Sequence, residues 1–142
     1  ACDIVIAKDE AVFGTPEVKV GLWPMMIGAL IYRNVLRKKA MEMVLLGERL
    51  SAAQAVELGL ITRSVPSGKL DDEVERVLRS LAAKSPIGMK IGKDAFYAMG
   101  DMPFEAAVDY LAGKLADVAG TEDAREGIMA FIEKRAPRWK AR

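Results

Sequence analysis

Residues 13–22 read Phe13-Gly14-Thr15-Pro16-Glu17-Val18-Lys19-Val20-Gly21-Leu22. The glycines and the proline predict a loop, because these residues interrupt strands and helices. Glu17 lies in this loop among apolar neighbours, which are Phe13, Val18, Leu22 and Trp23. A carboxylate that loses hydration in such surroundings is suited to general acid–base chemistry near neutral pH. From its position alone, an exposed loop glutamate without chemistry is at least as good an interpretation.

The composition narrows the chemistry that the 142 residues can perform. The sequence has 21 Lys and Arg residues and 20 Asp and Glu residues. With a net charge of +1, the chain lacks the basic excess of a dedicated nucleic-acid-binding domain. The sequence has no histidine and a single cysteine, Cys2, which excludes histidine-dependent triads, disulfides within the chain and cysteine-rich zinc sites. Acid–base chemistry must therefore come from a carboxylate, Lys, Tyr or Cys. No metal site is expected.

Short strands are predicted near the loop and further along the chain. The strand candidates are residues 4–7, 11–13 and 60–65. The chain starts in the first of them without an initiator Met, which indicates a fragment. Since strands this short do not form a stable sheet alone, we expect upstream sequence or another chain to supply more.

Helices are predicted over most of the remaining sequence. Apolar spacing favours one helix over 26–35 and a second that ends at Gly47. Ser51 and Gln54 have capping-box spacing, and Thr121 is a further N-cap candidate. In the helical second half, apolar residues recur at alternating spacings of four and three, which is typical of a seam that packs on another helix. The seam consists of Phe104, Val108, Leu111, Leu115 and Val118.

Six segments together resemble the crotonase family of enoyl-CoA hydratases and isomerases, specifically its C-terminal half. They occur in the order and spacing of the family and cover essentially the whole chain. They are residues 1–7, 13–22, 40–47, 51–55, 59–61 and 121–127, the last followed by Phe131-Ile132-Glu133-Lys134-Arg135. The resemblance implies an α/β crotonase (ClpP-like) β-spiral fold, of which this chain covers the last strands and the mostly helical C-terminal region.

The resemblance also implies a chemistry. The family's Phe-Gly-x-Pro-Glu loop carries a catalytic carboxylate, which by position is Glu17, as general acid or base. The substrate is an acyl-CoA thioester, as in fatty acid metabolism, and an oxyanion hole of two backbone N–H groups stabilises the enolate. These N–H groups and the second glutamate of hydratases lie upstream in the family, so this chain is expected to be inactive alone. No separate cofactor is implied, because coenzyme A is part of the substrate.

Five further residues are candidates for substrate binding. Pro16, Trp23 and Met25 match the acyl-pocket region, where residues 25–29 are larger than the glycine-rich stretch of many hydratases. Phe131 and Lys134 match positions that in the family approach the adenine and phosphates of CoA. Four of them have a structural alternative: Trp23 as a packed loop anchor, Met25 and Phe131 as core residues, and Lys134 as a solvated helix charge.

The predicted organisation has two parts and several partners. Residues 1–66 form the end of the β-spiral core with the Glu17 loop and the following helices, and residues 67–142 form a helical oligomerisation region. The expected partners are the acyl-CoA thioester, further copies of the chain in a trimer or hexamer, and a missing upstream half. No nucleic acid or membrane is expected, and the location is predicted to be cytoplasmic. A non-catalytic oligomerisation module and a CoA-thioester binder without turnover remain alternatives.

Overall fold

A computed structural model describes residues 2–142 and divides them into two compact units. The first unit extends to Arg76 and the second runs from Val77 to Arg142. This division falls ten residues beyond the predicted boundary after residue 66, within a long helix that follows it. The Glu17 loop belongs to the first unit.

The first unit contains four short strands that form two pairs. β1 (Ile6–Lys8) pairs in parallel with β4 (Arg63–Val65), and β2 (Val12–Phe13) pairs antiparallel with β3 (Leu50–Ser51). The strand predicted over 60–65 is therefore shorter than expected.

The shortening of β4 has a local cause. The backbone N–H groups of Leu60 and Ile61 both donate to the carbonyl of Ala55, at 2.9 and 3.3 Å, so these residues close the preceding helix. Thr62 then fixes the start of the strand pair, because its hydroxyl accepts from the Val5 N–H at 3.0 Å while its own N–H donates to the Val5 carbonyl at 2.9 Å.

Three α-helices lie wholly within the first unit. They are α1 (Met25–Asn34), α2 (Arg37–Leu46) and α3 (Ala52–Glu57). The capping box predicted at Ser51 and Gln54 is present, and Gly47 ends α2 in the left-handed conformation, with φ of 57°. Two apolar clusters form the core between these helices and strands; their buried members are Ile31, Val35, Ala40 and Met43 in one, and Ala52, Ala55 and Ile61 in the other.

Helix α4 (Leu70–Ala82) is followed by the three helices of the second unit, α5 (Pro86–Ala98), α6 (Phe104–Ala119) and α7 (Glu122–Ile132). Each of the last three buries one alanine, namely Ala95, Ala107 and Ala130. Alanine has a small side chain, and so these helices pack closely without large core residues. The predicted seam on α6 is only partly covered: Phe104, Val108 and Leu115 are exposed to 79%, 49% and 69%.

The C-terminal segment returns to the N-terminal end of α7. Asp123 is 1% exposed, and its carboxylate accepts hydrogen bonds from the Lys140 and Ala141 N–H groups at 2.7 and 3.3 Å and from the Ser85 hydroxyl at 2.8 Å. Trp139 donates from Nε1 to the Ala83 carbonyl at 2.8 Å. The last residues are thereby fastened to two helices of their unit.

Candidate active site

Glu17 lies on a 3-10 turn, Pro16–Val20, within the region predicted to be a loop. Pro16 occupies the first turn, where its fixed φ suits a helical start. Gly21 closes the turn with φ of 78°, and its N–H donates to the Val18 carbonyl. The Leu22 N–H donates to the carbonyl of Glu17 itself at 3.0 Å. The backbone that carries the candidate carboxylate is therefore hydrogen-bonded within the turn.

Two glycines allow the turn to lie against its neighbours. A Cβ on Gly14 would lie 2.9 Å from the Glu48 carbonyl oxygen. A Cβ on Gly47, at the end of α2, would lie 2.7 Å from Cγ2 of Val18. Both distances are shorter than a carbon side chain tolerates, so the glycines set the approach of α2 and β3 to the turn.

The Glu17 side chain is half-buried, and one of its carboxylate oxygens is fully enclosed. This atom, Oε2, has no hydrogen-bond partner within residues 2–142. Buried polar atoms are normally hydrogen-bonded, so an enclosed carboxylate oxygen of this kind is suited to bind a group that is not part of the chain. The expectation of a partly desolvated carboxylate agrees with this geometry.

Trp23 and Met25 line the same cavity, of about 270 Å³, which lies between α1 and α2 in the first unit. Tyr32, Met41 and Val44 also contribute to its wall. Trp23 is 42% exposed and Met25 73%, so neither is a packed core residue. An apolar cavity with flexible methionines suits an acyl chain, because Met adapts to irregular shapes.

Pro16 does not line that cavity. It borders a separate space of about 390 Å³ with Phe13, Lys19 and Gly47 among its neighbours. The structure therefore brings together two of the three residues predicted near the acyl group, whereas Pro16 borders a different space.

Phe131 and Lys134 lie at the end of α7 in the second unit. Phe131 is 85% exposed, so the alternative that it packs in the core is wrong. The helix ends at Ile132, one residue beyond Phe131, and the aromatic side chain borders a space of about 370 Å³ with Val118 and Trp139 among its neighbours. Lys134 is exposed and adopts a left-handed backbone with φ of 53°. An exposed ring next to an exposed ammonium group could stack on a purine and attract a phosphate.

The strongest electrostatic perturbations lie at ion pairs away from the Glu17 turn. Arg76, together with Arg63, lowers the pKa of Glu73 to about 2 despite the opposing effect of its burial. Arg135 and the Arg138 N–H lower the pKa of Glu126 to about 2. These carboxylates are held ionised by fixed partners, which favours a structural role over proton transfer.

Thr15 is a buried polar residue beside Glu17 that the sequence did not indicate. It is 3% exposed, and Oγ1 is buried without a hydrogen-bond partner in the described part of the chain. Its position directly before Pro16 resembles an ordinary N-cap, a common role for threonine. In the sequence, only its position beside Glu17 pointed to this threonine. Its burial could not be predicted, because it depends on contacts that form in the fold.

Comparison with known proteins identifies the family of the chain. A family model described as enoyl-CoA hydratase/isomerase matches residues 1–142. The human protein named enoyl-CoA hydratase domain-containing protein 3, mitochondrial, is 37% identical over 139 residues, which cover 98% of this chain and 46% of that protein. The chain thus spans about half the length of the curated relatives it matches.

Solved structures of enoyl-CoA hydratases have a fold similar to that of this chain. A Mycobacterium smegmatis enoyl-CoA hydratase superposes with a TM-score of 0.94 at 37% identity, covering 97% of this chain and 54% of that one. The structure of the human domain-containing protein 3 gives a TM-score of 0.93 at 37% identity, over 97% of this chain and 55% of that one. Across residues 2–142, no helix combines the length and apolar character that crossing a membrane requires.

Proposed function

Because the chain belongs to the enoyl-CoA hydratase/isomerase family, we propose that it supplies the Glu17 part of an active site for acyl-CoA thioesters. The observation that carries this proposal is the enclosed Oε2 of Glu17, on a turn that glycine contacts hold in place. A carboxylate so placed can take a proton from, or give one to, a bound substrate.

The proposed chemistry is general acid–base catalysis on a 2,3-enoyl thioester or its 3,4-isomer. In hydration, the elements of water add across the double bond; in isomerisation, a proton leaves one carbon and returns to another. Both routes pass through an enolate, and an oxyanion hole contributed by residues outside this chain is proposed to stabilise it. Trp23 and Met25 are proposed to contact the acyl group, Pro16 to support the turn, and Phe131 with Lys134 to meet the CoA moiety.

The proposed place of the chain is the C-terminal half of such a protein. The chain covers about half the length of its relatives, which supports its being part of a larger enzyme. Activity is accordingly proposed for the natural polypeptide that contains these residues. The name of the human relative places that protein in mitochondria; a cytoplasmic location for this chain stays a prediction.

The test is a Glu17→Gln substitution in the natural polypeptide. Gln keeps the size of the side chain and removes its proton chemistry, so hydration of crotonyl-CoA or isomerisation of a 3-enoyl-CoA should fall about 10²–10⁴-fold. Glu57→Gln is the matched control, because it removes an exposed carboxylate from α3 of the same unit. Unchanged turnover in Glu17→Gln contradicts the proposal. Binding of an acyl-CoA by calorimetry without any product in the unsubstituted protein supports a binder without turnover.

A second function, self-association, is favoured by the exposed seam on α6. Phe104, Val108 and Leu115 present apolar surface on one side of a 16-residue helix. Exposed apolar surface of this kind marks protein interaction sites. We propose a homo-oligomer, a trimer or a pair of trimers. The double variant Phe104→Asp with Leu115→Asp should lower the mass in light scattering, whereas Ala106→Asp, an exposed position outside the seam, should not.

A further inference from the structure

Gly28 lies inside helix α1, where glycine is an unfavourable residue. It is the fourth residue of this ten-residue helix, and its N–H donates to the Pro24 carbonyl at 2.7 Å, as in a regular α-helix. Glycine in a helix interior destabilises the folded chain relative to alanine, because it has more conformational freedom to lose on folding. The reason for a glycine at this position must therefore be something other than helix formation.

Neither the backbone conformation nor the packing requires this glycine. The φ of Gly28 lies outside the left-handed range, in contrast to that of Gly47. A Cβ on Gly28 would meet nothing within 4 Å beyond the backbone of its own helix, whereas a Cβ on Gly14 or Gly47 would lie less than 3.0 Å from another atom. An alanine would therefore fit at position 28 and would form the better helix. What the absent side chain leaves is open space.

This space is the cavity of about 270 Å³ between α1 and α2, which Gly28 lines. The most enclosed part of its wall consists of apolar residues that are at most 6% exposed, namely Ile31, Ala40 and Val44. Met25, which also lines the cavity, is 73% exposed, so the cavity is open to a ligand from that side. No carboxylate and no basic side chain of residues 2–142 belongs to the wall. Such a cavity suits the apolar part of a ligand and not its phosphates.

The size of the cavity indicates which acyl groups it suits. A methyl group is about as large as a water molecule, whose share of liquid volume is about 30 Å³. A crotonyl group has a single methyl group beyond its double bond and would leave most of the cavity empty. Each further methylene group that moves from water into the cavity strengthens binding, so an acyl group with a longer tail is favoured. A side chain at position 28 would compete with that tail for the same volume.

We propose that Gly28 is a specificity-determining residue, which leaves the cavity between α1 and α2 open for the tail of a medium-chain acyl group of about eight carbons. This inference rests on the proposed function and names the class of acyl-CoA within it. It applies equally to hydration and to isomerisation, because the tail lies beyond the reacting carbons. Glycine at this position thus lowers the stability of α1 and gives the site its preference for chain length.

The test measures, by calorimetry, the binding of octanoyl-CoA and butanoyl-CoA to the natural polypeptide. Both thioesters are saturated, so neither can be hydrated during the measurement. The unsubstituted protein should bind octanoyl-CoA more tightly than butanoyl-CoA. Gly28→Leu fills the cavity, so its Kd for octanoyl-CoA should rise about 10–100-fold, while its Kd for butanoyl-CoA should change less than about twofold. Gly28→Ala adds one methyl group and should have an intermediate effect.

Gly113→Leu is the matched control. Gly113 is also a glycine inside a helix, α6, and a Cβ there would likewise meet nothing within 4 Å. Its replacement should leave both affinities unchanged, because Gly113 does not line the cavity between α1 and α2. The Tm of Gly28→Ala should stay level or rise, since alanine is the better helix former. A lower Tm for Gly28→Ala would show that the fold needs this glycine, and the inference would fail.

The outcomes separate this inference from the proposed function. If Gly28→Leu binds both thioesters as tightly as the unsubstituted protein does, or weakens both equally, the role of Gly28 is overturned, and that of Glu17 still depends on the turnover of Glu17→Gln. If octanoyl-CoA binds the unsubstituted protein no more tightly than butanoyl-CoA, the cavity does not hold the tail and the inference also fails. If Gly28→Leu loses affinity for octanoyl-CoA alone while Glu17→Gln remains fully active, the inference stands and the catalytic role of Glu17 falls.

Discussion

Gly47 and Val18 meet at the junction between α2 and the Glu17 turn. A Cβ on Gly47 would lie 2.7 Å from Cγ2 of Val18, and Gly47 itself has φ of 57°. The position thus requires glycine for two separate reasons, its left-handed backbone and the space that it leaves for the turn. The end of one helix thereby determines where the candidate catalytic carboxylate lies.

Replacing Gly47 with Ala should therefore affect both stability and activity. The left-handed backbone alone costs an alanine about 1–2 kcal/mol in the free energy of unfolding, and the contact with Val18 adds to this. Turnover of crotonyl-CoA by the natural polypeptide should fall as the turn shifts. Urea denaturation and steady-state kinetics measure the two effects.

Gly68→Ala is the control for this substitution, because a Cβ there has no neighbour within 4 Å and its φ is not in the left-handed range. Equal stability of the Gly47→Ala and Gly68→Ala variants would contradict the role assigned to the junction.

Asp123→Asn should loosen the C-terminal segment. Burial raises the pKa of Asp123, but the hydrogen bonds from the Lys140 N–H, Ser85 and the Ala141 N–H outweigh this effect and hold the pKa below its ordinary value. An amide cannot accept all three bonds, since its nitrogen only donates. We expect a lower Tm and a red shift of Trp139 fluorescence, measured in a Trp23→Phe background.

The exposed Asp101 provides the control for Asp123. Asp101→Asn removes the same charge from the same unit and should leave Tm and fluorescence unchanged. An Asp123→Asn variant with the same Tm and emission as this control would show that the buried carboxylate does not fasten the segment.

The contribution of Glu126 to stability should disappear in acid. Its folded pKa of about 2 lies below the ordinary value of about 4.3, because Arg135 and the Arg138 N–H bind the ionised form. The stabilisation is therefore complete above about pH 5 and is lost as pH falls from about 4.5 through about 2. The difference in urea midpoint between the unsubstituted chain and Glu126→Gln should shrink over this range. A difference that is constant from pH 7 to pH 3 would argue against the ion pair as its source.

Trp139→Phe should destabilise the second unit moderately. The substitution removes the hydrogen bond from Nε1 to the Ala83 carbonyl and leaves that group without its donor, at a cost of about 0.5–1.5 kcal/mol in the free energy of unfolding. The ring also packs on α7, where a Cβ on Gly127 would lie 3.2 Å from Cη2. Trp139→Ala should therefore cost more than Trp139→Phe. Equal midpoints for the two variants in urea would refute the packing contribution.

Local sequence signals predicted the helices well because they act within a few residues. Ser51, Thr121 and Gly47 mark the ends of helices through capping bonds and backbone conformation, and each has the predicted role. The strands were predicted less well. Their extent depends on partners far along the chain, such as Val5 and Thr62, and on the competing bonds that Leu60 and Ile61 make to α3.

The same difference between local and distant contacts applies to the candidate site. The apolar neighbours of Glu17 in the sequence predicted a partly desolvated carboxylate; one of its oxygens is enclosed, although Leu22 and Trp23 are themselves exposed, and the catalytic role of Glu17 stays a prediction. The environment of Phe131 could not be predicted in this way, because its apolar stripe is also compatible with packing in the core.

The parallel pairing of β1 with β4 also bears on the order of events during folding. Ile6 cannot meet Arg63 until the intervening helices have brought distant parts of the chain together, and closing so long a loop is slow. The contacts among α5, α6 and α7 join elements that are neighbours in sequence. During synthesis, β1 therefore stays without its partner strand until β4 has left the ribosome.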